Sequence, residues 1–469
     1  MYNFEIGWRF VIWIWIGLLP VGLIAQEQHP EIDSTLVDSS TSLADKIRSG
    51  EVEFHLRSFY MGTTNRGELL DYHSLAIGAG IGYFSPSFRG FHVGFSGFFV
   101  FQVFEHNLRI PDPTTGNVNR YEILLYDMND FENSRDLDRL EHLYLSYKRS
   151  GFQAVLGRQK FNTPFLNEQD NRMRPNIFSG LKLAYENTHW QTTLAWFNQV
   201  TMRGTVDWYS VEESFGVYPF GRNVFGTSSG YKGNVRSRGI GVGGFVYRGD
   251  HGETFQYWSY LAENVFQMQF AQLEKRTDIG RMNLLLGLQG FYQSALNDGG
   301  NMDSAKAYIM KGESSMGYGA KVGFRQRAHE VSMNLLSISN QGRFLFPREW
   351  GREVFFASLP RERFEGNGGI RAIALKYDYQ FNTYTKGLVG VSTVKHPDIN
   401  EFTLNKYGVP SYYHFVGSLD HSFDGYLDGL KLKMLVVNKT AKKPGEIPDS
   451  NRINRVDLWN FNLVLDYKF

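Results

Sequence analysis

The chain has 469 residues, with 49 Lys plus Arg against 48 Asp plus Glu, and this balance offers nothing for a nucleic-acid backbone to attract. It contains no cysteine, which excludes disulfides, thiolate metal sites, a Cys nucleophile and an N-terminal lipoprotein anchor. Its 49 Gly, 38 Phe and 26 Tyr sit in a chain whose mean hydropathy is polar, a combination that suits strands with one face in lipid and one in water.

In chain order, the first element is the apolar run FVIWIWIGLLPVGLIA at 10–25, preceded by Arg9. It reads as a secretory signal peptide, residues 1–25, cleaved between Ala25 and Gln26. Glu5 in the charged region and Leu23 near the cleavage point depart from the usual pattern, so an uncleaved anchor is the alternative. No later stretch approaches the ~20 apolar residues of a spanning helix. A mature chain in a membrane must then cross as strands, and the sheet must close, because an open edge cannot be hydrogen-bonded in lipid. Residues 26–50 are polar, end in ADKIRSG, and read as a flexible periplasmic segment.

From about Glu53 one unit recurs: some ten alternating residues, a turn, ten more, then a longer polar loop. The pattern predicts strands near 53–61, 72–84, 90–104, 140–149, 152–161, 178–187, 190–199, 238–248, 253–261, 263–271, 280–293, 316–326, 329–338, 369–381, 385–394, 411–423, 428–438 and 456–469. An even number, here eighteen, is required if both ends of the barrel chain are periplasmic. The faces separate cleanly. Leu143, Leu145 and Tyr147 oppose Tyr144, Ser146 and Lys148, while Ile373, Leu375, Tyr377, Tyr379 and Phe381 oppose Ala372, Ala374, Lys376 and Asp378. Charged residues at mid-strand need a wet interior. A soluble sandwich lacks one, whereas the lumen of a barrel supplies it. Short turns at 148–151, 187–189 and 424–428 alternate with long loops at 105–139, 162–177, 200–237, 294–315, 339–368 and 439–455. The last strand, WNFNLVLDYKF, alternates strictly, carries aromatics at both ends of its apolar face and ends on Phe469. These features predict an all-β fold, a transmembrane antiparallel up-and-down β-barrel over residues 51–469.

The loop between strands at 156–180, LGRQKFNTPFLNEQDNRMRPNIFSG, is the most informative. Pro164 and Pro175 stiffen it, and Arg172 and Arg174 stand beside Asp170. Guanidinium groups keep their charge and pair with carboxylate or phosphate through a planar fork. Folded into a barrel, such a loop narrows the pore and its charges select the permeant; left outside, it is an ordinary solvated loop. This segment resembles that of the OprD-type porins, the outer-membrane carboxylate channels. GEVEFHLRSFYM at 50–61, FPREWGRE at 346–353, LPRERFEGNGG at 359–369 and the terminal LDYKF agree with the same family, so the resemblance spans about 50–469. It implies an 18-stranded monomeric barrel of the bacterial outer membrane that passes small hydrophilic solutes, anions or carboxylates among them, through an arginine-lined route. It also implies Arg158, Arg172 and Arg174 near the constriction, Asp170 bracing an arginine, Arg361 and Arg363 on the same path, and Arg57 and Arg371 as further candidates. Arg174 stands where a more apolar residue is expected, and Ser179 where an acidic one is common.

Other motifs carry less. Gly226–Gly230 matches a GxSxG nucleophile turn but has no helix after it, and Gly239–Gly244 matches GxGxxG inside a strand. The acidic run Asp127, Asp130, Glu132, Asp136 and Asp138 lacks EF-hand spacing. No cofactor, metal or catalytic residue is expected. The alternatives to a porin are a plugged barrel whose long loops bind a partner, and an outer-membrane barrel hydrolase.

Overall fold

The computed structural model describes residues 48–469 apart from 170 and 220, so the expected signal peptide and most of the expected 26–50 periplasmic segment lie outside the described residues. Strict alternation makes the strands. They run β1 (Glu51–Asn65), β2 (Tyr72–Phe84), β3 (Phe91–His106), β4 (Arg139–Arg149), β5 (Phe152–Gln159), β6 (Ile177–Glu186), β7 (Trp190–Thr201), β8 (Tyr209–Ser210), β9 (Ile240–Arg248) and β10 (Glu253–Ala262). They continue as β11 (Phe266–Ile279), β12 (Met282–Ala295), β13 (Ser314–Gln326), β14 (His329–Ile338), β15 (Arg371–Gln380), β16 (Thr385–Lys395), β17 (Tyr412–Ser422), β18 (Leu430–Ala441) and β19 (Leu458–Lys468). Two-residue β8 pairs with β7 inside a loop, and β7 passes directly to β9, so the wall has the eighteen strands expected. The strand expected to end at 271 continues to Ile279. Its charged end, EKRTD, masks the alternation, yet the backbone stays paired with β12 as far as Ile279 opposite Met282.

Closure is made by β1 against β19, in register from His55 opposite Lys468 to Asn65 opposite Leu458. The seam extends to the last residue: Phe54 N–H donates to the Phe469 carbonyl at 2.8 Å, and Phe469 N–H returns to Phe54 at 3.1 Å. No edge strand is left in the wall. On β19 the outward Leu463 is 41 % exposed while its inward neighbour Asn462 is 6 % exposed. Leu463→Arg therefore places a charge against lipid and costs about 2–4 kcal/mol. Urea titration of the refolded barrel in vesicles measures that loss.

Turns at one end are tight. Ser150 and Gly151 join β4 to β5 with φ of +48° and +79°, the mirror-image turn that matches strand twist. A side chain at Gly151 would sit 2.3 Å from the Glu186 carbonyl oxygen. The long connections all leave the other end, which makes it the extracellular end of an outer-membrane barrel. They include 107–138, 160–176, 202–239, 339–370 and 442–457, and also 396–411, which the alternation left unassigned.

These loops fold into the lumen. Phe165 packs edge-on to the wall rings Tyr260 and Phe270 and to Phe344 and Phe355 of the 339–370 loop, at 5.1–5.9 Å. Trp350 is fully buried, and its indole N–H donates to Ser214 Oγ at 2.8 Å. Glycine lets the loops touch: a side chain at Gly351 would meet the Phe165 carbonyl oxygen at 1.7 Å. A second apolar cluster holds Phe59, Met61 and Phe98 of the wall with Ile123, Leu124, Leu125 and Met173 from two loops. Rings and aliphatics from distant loops thus form a core within the barrel.

Candidate functional site: a basic cavity in the lumen

Both clusters leave between them a cavity of about 120 Å³ that opens to solvent. Nine of its lining side chains are Arg or Lys, and Glu362 is its one carboxylate. Tyr121, Tyr218 and Tyr412 line it as well.

Arg172 reaches the cavity from the 160–176 loop and donates to the Asn171 carbonyl at 2.7 Å. Arg203 follows β7 and binds the Asn171 side-chain oxygen. Arg361, at φ +66° in the 339–370 loop, binds the Asn462 side chain on β19. Arg363 donates to the Gly351 carbonyl at 3.0 Å and to Gln169, and lies 4.0 Å from Glu353. The structure therefore brings Arg172, Arg361 and Arg363 together.

Two other expected residues go elsewhere. Arg174 does not line the cavity. Its guanidinium is fully buried and donates to the carbonyls of Leu137 at 2.7 Å and Tyr126 at 2.9 Å, tying the 160–176 loop to the 107–138 loop. Arg158 sits opposite Leu143 on the face that holds Leu156, both well exposed, so it points away from the lumen. There it packs on the Trp208 ring, 4.3 Å from its centre. Arg57 is a brace too: it pairs with Asp466 at 2.8 Å and donates to the Arg172 carbonyl at 2.8 Å. Arg371 is exposed on the outer face, and Asp170 lies outside the described residues.

Sequence reading missed Arg120, Arg203, Arg348, Arg352, Arg455 and Lys439. Arg348 and Arg352 belong to FPREWGRE, so that motif held the signal. The others come from loops or wall positions with no recognisable pattern.

Charge in the cavity is unbalanced. Arg348 pairs with Glu365 at 2.6 Å, Arg363 with Glu353, and Lys439 with Glu362 at 3.4 Å. Among the described residues, Arg120, Arg172, Arg203, Arg352, Arg361 and Arg455 enter no such pair, and the Nε of all but Arg120 is buried without an acceptor. Burial, then the nearby Arg361 and Arg203, pushes Arg172 well down from its usual value. Burial pushes Arg203 down to about 9 and Arg361 to about 10. Arg203 and Arg361 stay charged at neutral pH. Glu362 is the reverse case. Burial works against its charge, but Lys439 and His414 hold it well below the usual carboxylate range. Its partners, His414 Nδ1 at 2.8 Å and the Tyr412 hydroxyl, fix the 339–370 loop to β17.

Inward-folded loops that crowd guanidinium groups, several without a described carboxylate partner, around an open cavity can attract, desolvate and pass an anion. A profile of the outer membrane porins of the OprD family matches residues 51–393. The chain belongs to the OprD family. It is an outer-membrane channel for small solutes, not an enzyme. No curated protein matches this porin. Solved structures of similar fold include Pseudomonas aeruginosa OccK9 (OpdG), 14 % identical, covering 90 % of this chain and 99 % of that one at TM-score 0.69. Acinetobacter baumannii OccAB4 is 13 % identical over 90 % and 98 % of the two chains, at TM-score 0.69. Pseudomonas aeruginosa OpdK, solved with vanillate, is 15 % identical over 90 % and 99 %, at TM-score 0.65.

Proposed function

We propose that this OprD-family porin lets small anionic solutes, carboxylates among them, diffuse through the basic cavity, with Arg172, Arg361 and Arg363 among its selectivity residues. The carrying observation is the excess of guanidinium groups with no described carboxylate partner that face open volume. An approaching carboxylate exchanges water for charge-assisted hydrogen bonds, which are about twice as strong as neutral ones. The tyrosines offer hydroxyl donors and ring faces to an aromatic acid. The vanillate bound to OpdK, a carboxylate in a barrel of similar fold, supports the same solute class.

Single-channel recording in a planar bilayer under a KCl gradient tests the reading. The expected result is discrete steps with a reversal potential on the anion side, and partial block by millimolar vanillate. A cation-side reversal potential removes the proposal.

The same proposal includes export by the 1–25 signal peptide, a 26–50 periplasmic segment and a monomeric channel. The apolar run after Arg9 and the Ala25–Gln26 junction support the first. An intact mass that starts at Gln26 is expected for the mature chain.

A further inference from the structure

The outer wall carries charge where an apolar belt ends. Arg371 on β15 stands opposite Lys395 on β16, both exposed. The next pairs in register, Val394 with Tyr412 and Tyr412 with Ala441, set Lys395 beside Ser411 and Ser411 beside Lys442. Lys442 N–H donates to the Ser411 carbonyl at 3.0 Å. Arg371, Lys395 and Lys442 thus form one cross-strand row over four strands, about 14 Å long at ordinary strand spacing. All three share the outward face: Arg371 with Ile373 and Leu375, Lys395 with Val391, and Lys442 over the Tyr413 ring at 5.3 Å.

Below the row the wall is greasy. Tyr413 is 57 % exposed, and Ile373, Leu375, Val391 and Phe415 follow in the next two layers. The row lies at the loop end of the strands, the height of the outer-leaflet headgroups. Cations nearby already have carboxylates, Lys443 in Glu446 and Arg452 in Asp449. The row enters no ion pair with a described residue. Arg158, the outward cation near the end of β5, stacks instead on Trp208. Three unneutralised charges above a lipid-facing belt call for an anion supplied by the membrane, and their spread exceeds the width of a single phosphate.

We infer that Arg371, Lys395 and Lys442 form a docking row for a lipid headgroup carrying more than one phosphate, on the extracellular outer face of the barrel. The aromatic and aliphatic belt beneath holds its acyl chains. The row is separate from the lumen, and its loss leaves permeation unchanged.

Native mass spectrometry of the detergent-purified barrel tests it, with cardiolipin as the diphosphorylated probe, phosphatidylcholine as the zwitterionic one and inorganic pyrophosphate as the soluble one. Cardiolipin is expected to bind preferentially. The variant Arg371→Gln, Lys395→Gln, Lys442→Gln should lower its retention about a hundredfold, from three near-surface cations. Single-channel conductance of the variant should match the parent, which shows that the barrel is folded. Equal retention by parent and variant overturns the row, as does equal retention of phosphatidylcholine by the parent. Pyrophosphate binding as strong as cardiolipin binding overturns the lipid as occupant. If the triple variant does not fold, Lys395→Gln alone carries the comparison, with a smaller loss expected.

Discussion

Exchanging Arg172, Arg203 and Arg361 together for glutamine should lower the anion-to-cation permeability ratio at least about tenfold, since three charges worth even about 0.5 kcal/mol each to a passing anion multiply to that factor. The three sit on separate elements yet line one cavity, and none is paired with a described carboxylate. Their fields therefore act on the permeant, offset in part by the buried Glu122, which acts on Arg172 and Arg361. Glutamine keeps a donor for the Asn171 carbonyl that Arg172 binds and for the Asn462 side chain that Arg361 binds. The loop contacts of Arg172 run through its own carbonyl to Arg57, which the exchange does not touch. Reversal potentials in a KCl gradient give the ratio directly. Arg158→Gln is the control, because its side chain faces outward under Trp208, and it should leave the ratio as it was. A ratio unchanged in the triple variant removes these residues from the selectivity path.

Arg174→Ala is expected to act on stability and loop order. Its fork serves two carbonyls, Leu137 at 2.7 Å and Tyr126 at 2.9 Å, in a site closed to water. Truncation leaves both acceptors buried and unpaired, at about 1–3 kcal/mol each, and opens a void beside the apolar cluster of the 107–138 loop. The eighteen-stranded wall does not depend on this contact, so the barrel should still show its heat-modifiable gel mobility. The 107–138 and 160–176 loops should be cut faster by limited proteolysis, and the conductance should rise as the constriction loosens. A shift in ion selectivity with no gain in cleavage would show that Arg174 meets the permeant after all. Arg172 and Arg174 are two positions apart, and the pair of experiments separates a pore residue from a brace.

The positions of these arginines explain how far the sequence could be read. Arg158 was legible: it stands two residues after Leu156, on the lipid side by parity alone. Arg172 and Arg174 were not separable, because an irregular loop has no period to say which side chain turns inward. Arg203 and Arg120 come from loops whose pattern resembles nothing familiar, and only their arrival at the same cavity marks them.

The wall was determined by the sequence itself. Lipid on one side and water on the other impose a two-residue period on every strand, and closure follows from the need to pair every backbone group. Strand number, direction and faces are therefore written locally, down to Phe469 pairing with Phe54. Loop architecture was decided only in three dimensions. Asn167 meets Arg352, Trp350 meets Ser214, and Arg361 meets Asn462, each across 101 residues or more. Such contacts leave no periodic trace in the chain, since a side chain buried by a distant loop needs only the right size and charge at one point. The basic cavity exists because those loops converge there.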